Sequence, residues 1–187
     1  MDDGFEGTVR STSIELSAES GLRNKVHIRQ AGQRSTPQDP TIVFVCGLGS
    51  SCLSFTVVQH ELAAAGISSF TYDRLGIGRS SPLLQVDNAE AAAAAPETPQ
   101  PRHAKELAKE LSEVLRVAGV LPPFIIASHS YGGVISWEYI AAHAGHVVGF
   151  LAIDANSARS IERPLNDQDL GILTKGLADG AFDYYKI

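Results

Sequence analysis

The sequence predicts an α/β fold built on a mostly parallel, doubly wound sheet, and three observations predict it. Short apolar runs alternate with helical stretches along most of the chain. The run from Thr41 to Cys46, Thr-Ile-Val-Phe-Val-Cys, is continuous and rich in β-branched residues, the composition of a strand buried on both faces. Helical stretches carry an apolar stripe: Ala104, Leu107, Leu111, Val114, Leu115 and Ala118 recur at three- and four-residue steps, which places them on one face. At 187 residues and 44% hydrophobic content, one domain with one core is expected.

Taken in order, Thr8 to Leu16 and Lys25 to Arg29 alternate apolar and polar residues, as two exposed antiparallel strands would, with the turn at Gly21 to Asn24. Thr41 to Cys46 is the first central strand. A helix is expected from about Phe55 to Ala65, ended by Gly66, and a strand from Ile67 to Tyr72. Ser81 to Arg102 is rich in Ala, Pro, Glu and Gln and lacks large apolar residues after Leu84, so it reads as a surface insertion. The amphipathic helix from His103 follows, then a strand at Phe124 to Ala127, a helix at Tyr131 to His143 and a strand at Val147 to Ile153. Beyond Asp154 the order weakens; Arg163-Pro164 breaks any long helix.

The net charge of −6 offers no clustered Lys or Arg for phosphates or anionic headgroups, which argues against nucleic-acid and membrane-surface binding. A small organic substrate is the natural partner. Cys46 and Cys52 are too few and too close for a disulfide framework and are expected as free thiols in a reducing compartment. The start Met1-Asp2-Asp3-Gly4 is acidic where a secretory signal is basic, and no apolar run is long enough to span a bilayer. A cytoplasmic location is the default expectation.

Ser128-His129-Ser130-Tyr131-Gly132-Gly133 joins a buried strand to a helix. Such a turn lifts the Ser130 hydroxyl above the sheet, and the small residues around it let the backbone cross without collision. The helix start and the Tyr131 N–H favour negative charge beside Ser130; the plainer alternative is a serine that caps the helix. Cys46-Gly47-Leu48-Gly49-Ser50-Ser51 follows the first central strand, where Gly47 and its small neighbours let a backbone N–H, that of Leu48, point toward Ser130 as a second donor. No Gly-Lys-Ser/Thr ending makes it a nucleotide loop. In Tyr72-Asp73-Arg74-Leu75-Gly76-Ile77-Gly78-Arg79-Ser80, Asp73 and Arg74 are expected to fix the loop rather than react.

These three segments resemble the α/β-hydrolase superfamily, in its order and at plausible spacing, over about residues 8 to 157. The resemblance implies a serine hydrolase without metal or cofactor, Ser130 as nucleophile, and Leu48 and Tyr131 as oxyanion donors. Two departures stand out. Ser128 occupies the position where members usually have Gly, and Cys46 stands where His usually precedes the loop glycine. In the family the triad acid and histidine lie late in the chain, whereas 57 residues follow Ser130 here. The chain therefore reads as the amino-terminal two-thirds of the fold, lacking its carboxyl-terminal strands, with the core at 1–159 and the start of a lid at 160–187.

Serine needs a base to become nucleophilic, and none of the six histidines matches the family position. His129 lies inside the elbow, His143 and His146 flank the end of the next helix, and His27, His60 and His103 are expected on solvated faces. Asp154, at the end of Val147 to Ile153, is the candidate acid; a loop-capping role is the alternative. Three readings remain open. The first is a hydrolase of an ester, lactone or similar small substrate. The second is a catalytically silent protein that acts by binding or is completed by a partner, with self-association through an unpaired sheet edge. The third is lyase, cyclase or peroxidase chemistry on the same serine.

Overall fold

The computed structural model describes residues 9–17, 23–80 and 102–157. Most of the anticipated insertion and the anticipated lid lie outside the described residues. The elements are β1 (Val9–Ser17), β2 (Arg23–Ala31), β3 (Thr41–Val45), a 3₁₀ turn (Cys52–Phe55), α1 (Thr56–Ala64), β4 (Ser69–Tyr72), α2 (Ala104–Val117), β5 (Phe124–His129), α3 (Gly132–Ala142) and β6 (Val147–Ile153).

The strands form one sheet in the order β1-β2-β4-β3-β5-β6. β1 and β2 form an antiparallel ribbon, and β2 pairs antiparallel with β4. The β4–β3, β3–β5 and β5–β6 pairs are all parallel, so the carboxyl ends of four strands meet at one edge. Ligands of open α/β sheets bind at that edge.

Helices cover both faces because the central strands are apolar on both. Val43 and Val45 of β3 turn to one side, with Phe70, Phe124 and Ile126, and are covered by Leu107, Leu111, Val114 and Leu115 of α2 and by Ile135 and Tyr139 of α3. Phe44, Cys46 and Ala127 turn to the other side and meet Phe55 and Leu62; the Phe44 and Phe55 rings stack at 4.4 Å. The period-two alternation of a strand sends neighbouring side chains into opposite halves of the core.

The structure corrects two expectations. β2 is not an exposed strand: Val26, His27, Ile28 and Arg29 are all buried, because β1 and β4 flank the strand and α1 covers one face. There the Arg29 guanidinium donates to Oε1 of the buried Gln59 at 3.4 Å. Arg102 does not belong to a loose surface segment either. It pairs with Glu110 of α2 and donates to the Leu75 carbonyl at 3.1 Å, which ties the start of α2 to the loop after β4.

Candidate active site

Ser130 sits in the left-handed region, at φ +49°, between the end of β5 and the start of α3. A non-glycine residue there costs about 1–2 kcal/mol, so its surroundings must hold it. The Ser130 N–H donates to the Asp154 carbonyl at 3.2 Å, and its own carbonyl accepts from the N–H groups of Asn156 at 2.8 Å and Gly133 at 2.9 Å. The loop after β6 is thus bolted to the turn after β5. Gly132 lets α3 start against β3: a Cβ there would lie 2.2 Å from the Val45 carbonyl oxygen. This is the geometry of an elbow that lifts one side chain above the sheet edge.

The structure brings Gly47 to Ser130. A Cβ on Gly47 would lie 3.1 Å from the Ser130 Cβ and 2.8 Å from Nδ1 of His129. The His129 side chain packs beside this loop. Gly47 to Ser50 forms a tight turn in which the Ser50 N–H donates to the Gly47 carbonyl at 3.3 Å, with Gly49 at φ +69° as the third residue. Among the described residues, the Leu48 N–H has no acceptor. Tyr131 is the N-cap of α3.

Asp154 is brought to Ser130 through its backbone, at φ +49°, while its side chain is exposed. His143 is the C-cap of α3, and His146 meets Phe124 at the first residue of β5, with ring centroids 6.3 Å apart. Both therefore lie at the end of the sheet opposite Ser130. His103 is exposed at the N-terminus of α2 and His60 is half-buried on α1.

His27 is a further correction: it is buried, not solvated. With Cys52 and Asp73 it brings ligand atoms within 4.8 Å of one another, a group that could hold a metal ion. These atoms already have partners. The Asp73 carboxylate accepts from the Cys52 N–H at 2.6 Å and the Arg79 N–H at 2.9 Å, and Nε2 of His27 lies 3.1 Å from the Ser11 hydroxyl. Burial, followed by the Asp73 charge, pushes the Cys52 thiol far above its usual range.

Sequence reasoning missed the reach of Arg74. Arg74 is 3% exposed, and its guanidinium does not fix its own loop but donates to the Cys46 and Gly47 carbonyls, each at 2.6 Å. Cys46 takes the position of the family's usual His without reproducing it. Its sulfur lies 3.8 Å from the Thr71 hydroxyl, and burial pushes its pKa to about 11, so it is a packing residue. Ser128 preserves the elbow because its hydroxyl has a partner, Ser136 of α3, at 2.6 Å.

A doubly wound sheet with a strained serine turn facing a glycine loop at its carboxyl edge defines a class of hydrolase-like α/β folds. Comparison with known proteins is specific: residues 42–185 match the alpha/beta hydrolase family, and the chain belongs to that family. It is 31% identical to an AB hydrolase superfamily protein of Gibberella zeae over 94% of this chain and 50% of that protein. The chain thus spans about half the length of this curated relative. Its fold resembles the Cif epoxide hydrolase of Acinetobacter nosocomialis, with TM-score 0.64, 21% identity and coverage of 89% of this chain and 45% of that one. It also resembles a carboxylesterase structure from Nitrososphaera gargenis, with TM-score 0.62, 19% identity and coverage of 87% and 51%.

Proposed function

We propose that the protein is a serine hydrolase of small organic esters or lactones, with Ser130 as nucleophile. The observation that carries this reading is the Ser130 turn itself, a left-handed non-glycine residue at a strand-to-helix junction, 3.1 Å from where a Gly47 side chain would begin. The Ser130 hydroxyl attacks the carbonyl carbon of the substrate while a general base takes its proton, and the carbonyl oxygen takes the negative charge. The N–H groups of Leu48 and Tyr131 hold that oxygen, the second at the positive end of α3. Collapse of the intermediate breaks the ester C–O bond, the leaving oxygen takes the proton from the base, and an acyl group remains on Ser130, which water then releases as the acid; in a lactone the freed alcohol stays on that acyl group. Asp154 serves as the acid that orients the base. The carboxylesterase among the structural relatives supports the ester class, and the epoxide hydrolases widen the alternatives.

A second reading is favoured by a different observation. Among the described residues, His129 is the one imidazole placed against the Ser130 loop. On this reading the fold binds a ligand or another chain without turnover.

Hydrolysis of p-nitrophenyl acetate and of a simple lactone, each compared with Ser130→Ala, separates the two. Turnover lost in Ser130→Ala supports the hydrolase; saturable binding without turnover in the wild type supports the second reading.

A further inference from the structure

We infer that Arg74 is the positioning residue of the oxyanion loop: its guanidinium sets the peptide plane from which the Leu48 N–H donates. The inference rests on the hydrolase reading for its catalytic consequence, but its geometry stands on the loop alone.

The Gly47 carbonyl and the Leu48 N–H belong to one peptide unit, and in a trans peptide the two point in opposite directions. Arg74 Nη2 holds the carbonyl at 2.6 Å while Nη1 holds the preceding carbonyl, that of Cys46, at the same distance. Two fixed carbonyls leave the Gly47–Leu48 plane little freedom to rotate. With its carbonyl drawn toward Arg74, this peptide turns the Leu48 N–H to the opposite side. That N–H has no acceptor among the described residues, which suits a donor reserved for a transient anion.

A planar guanidinium is suited to this task because it donates two bonds in a fixed fork, whereas an ammonium is a point charge without that geometry. Its charge also polarises the peptide it binds, which strengthens the N–H on the far side as a donor. Arg74 is itself held in place. Its carbonyl accepts from the Ile77 N–H at 2.9 Å, and the next residue, Leu75, donates its N–H to Glu110 Oε1 at 3.2 Å. The buried cation thus links α2 to the loop beside Ser130 without touching a reacting atom.

The experiment compares wild type, Arg74→Lys and Arg74→Met in two measurements. The direction of the Leu48 N–H is read from its ¹⁵N–¹H residual dipolar coupling, with thermal unfolding as the check on folding. The rate of Ser130 phosphonylation by a fluorophosphonate is read by intact mass. We expect the Leu48 coupling to change in both variants while couplings in β3 and β5 hold. Loss of one oxyanion donor is expected to slow phosphonylation by about 10²-fold in Arg74→Met, with a smaller loss in Arg74→Lys. In a further variant, Arg74→Ala, whose small side chain leaves room for it, free guanidinium at non-denaturing concentration should restore part of the rate. Unchanged Leu48 couplings and wild-type rates in folded Arg74→Lys would overturn the inference. If wild-type labelling does not depend on Ser130, the hydrolase reading falls, and the Leu48 coupling alone decides the role of Arg74. If Arg74→Met does not fold, the Arg74→Lys couplings carry the decision.

Discussion

The hydroxyls of Ser128 and Ser136 hydrogen-bond at 2.6 Å inside the core, across the turn that carries Ser130. Both residues are fully buried, so each hydroxyl depends on the other. Removing one partner leaves a buried polar group unsatisfied, at a cost of about 1–3 kcal/mol, whereas removing both is far cheaper. We expect Ser136→Ala to destabilise the protein by about 1–2 kcal/mol and the double variant Ser128→Gly, Ser136→Ala to lose less than the sum of the two singles. Urea unfolding of all four species checks this; strict additivity would show that the pair is not coupled.

Asp73 ties the loop after β4 to the segment after β3 through the N–H groups of Arg79 and Cys52. Asp73→Ala orphans two backbone donors and removes a buried negative charge. The expected loss is on the order of 3 kcal/mol, measured by chemical unfolding. A loss within about 0.5 kcal/mol, the range of an ordinary surface substitution, would refute this role.

Alkaline pH should weaken the fold. Burial raises the Cys46 thiol from 9.0 to about 11 and the Tyr139 phenol from 10.0 to about 12, and it raises Cys52 and Tyr72 further. The folded protein thus keeps protons that the unfolded chain has already released. This stabilisation is fully present below the unfolded thiol value of 9.0 and is lost as pH climbs through about 11. Each such group contributes a slope of about 1.4 kcal/mol per pH unit within its window. Urea midpoints should be flat from neutrality to the start of that window and then fall, less steeply in Cys46→Ala. A flat profile to the end of the window would contradict the burial of these groups.

β6 is the outer strand of the described sheet and is apolar on both faces: Val148 is 64% exposed and Leu151 53%. An unpaired apolar edge invites a second strand. We expect the purified chain to associate with a second copy or to bind a hydrophobic dye, and Val148→Lys with Leu151→Lys to reduce both. A monodisperse wild-type monomer without dye binding would refute this.

Much of this was legible in the sequence. The strand ending at Ile153 and the Ser130 turn carry local signatures, a run of apolar residues and a cluster of small ones, that need no tertiary information. The β2 strand was misread because alternation reports which side chains differ, not what covers them; Gln59, on α1, turns a polar face into an interior one. The role of Arg74 and the partner of the Ser128 hydroxyl were out of reach for a related reason. Their partners, Cys46, Gly47 and Ser136, are brought near by chain crossings and leave no pattern at short spacing. Asp154 was placed correctly at the sheet edge, but its link to Ser130 runs through a backbone carbonyl, which side-chain chemistry does not announce.

The central claim, that Ser130 is a nucleophile, is tested most directly by intact-mass measurement of the chain after incubation with a fluorophosphonate probe. With a formed elbow and no assigned base, the account predicts slow formation of a single adduct on Ser130, absent in Ser130→Ala. An oxyanion hole and binding alone leave a residual acceleration of roughly 10³ to 10⁴ over water. Rapid stoichiometric labelling would mean that a base is present, with His129 the first residue to replace. An adduct that persists unchanged in Ser130→Ala, or no adduct at all in the folded wild type, would contradict the claim.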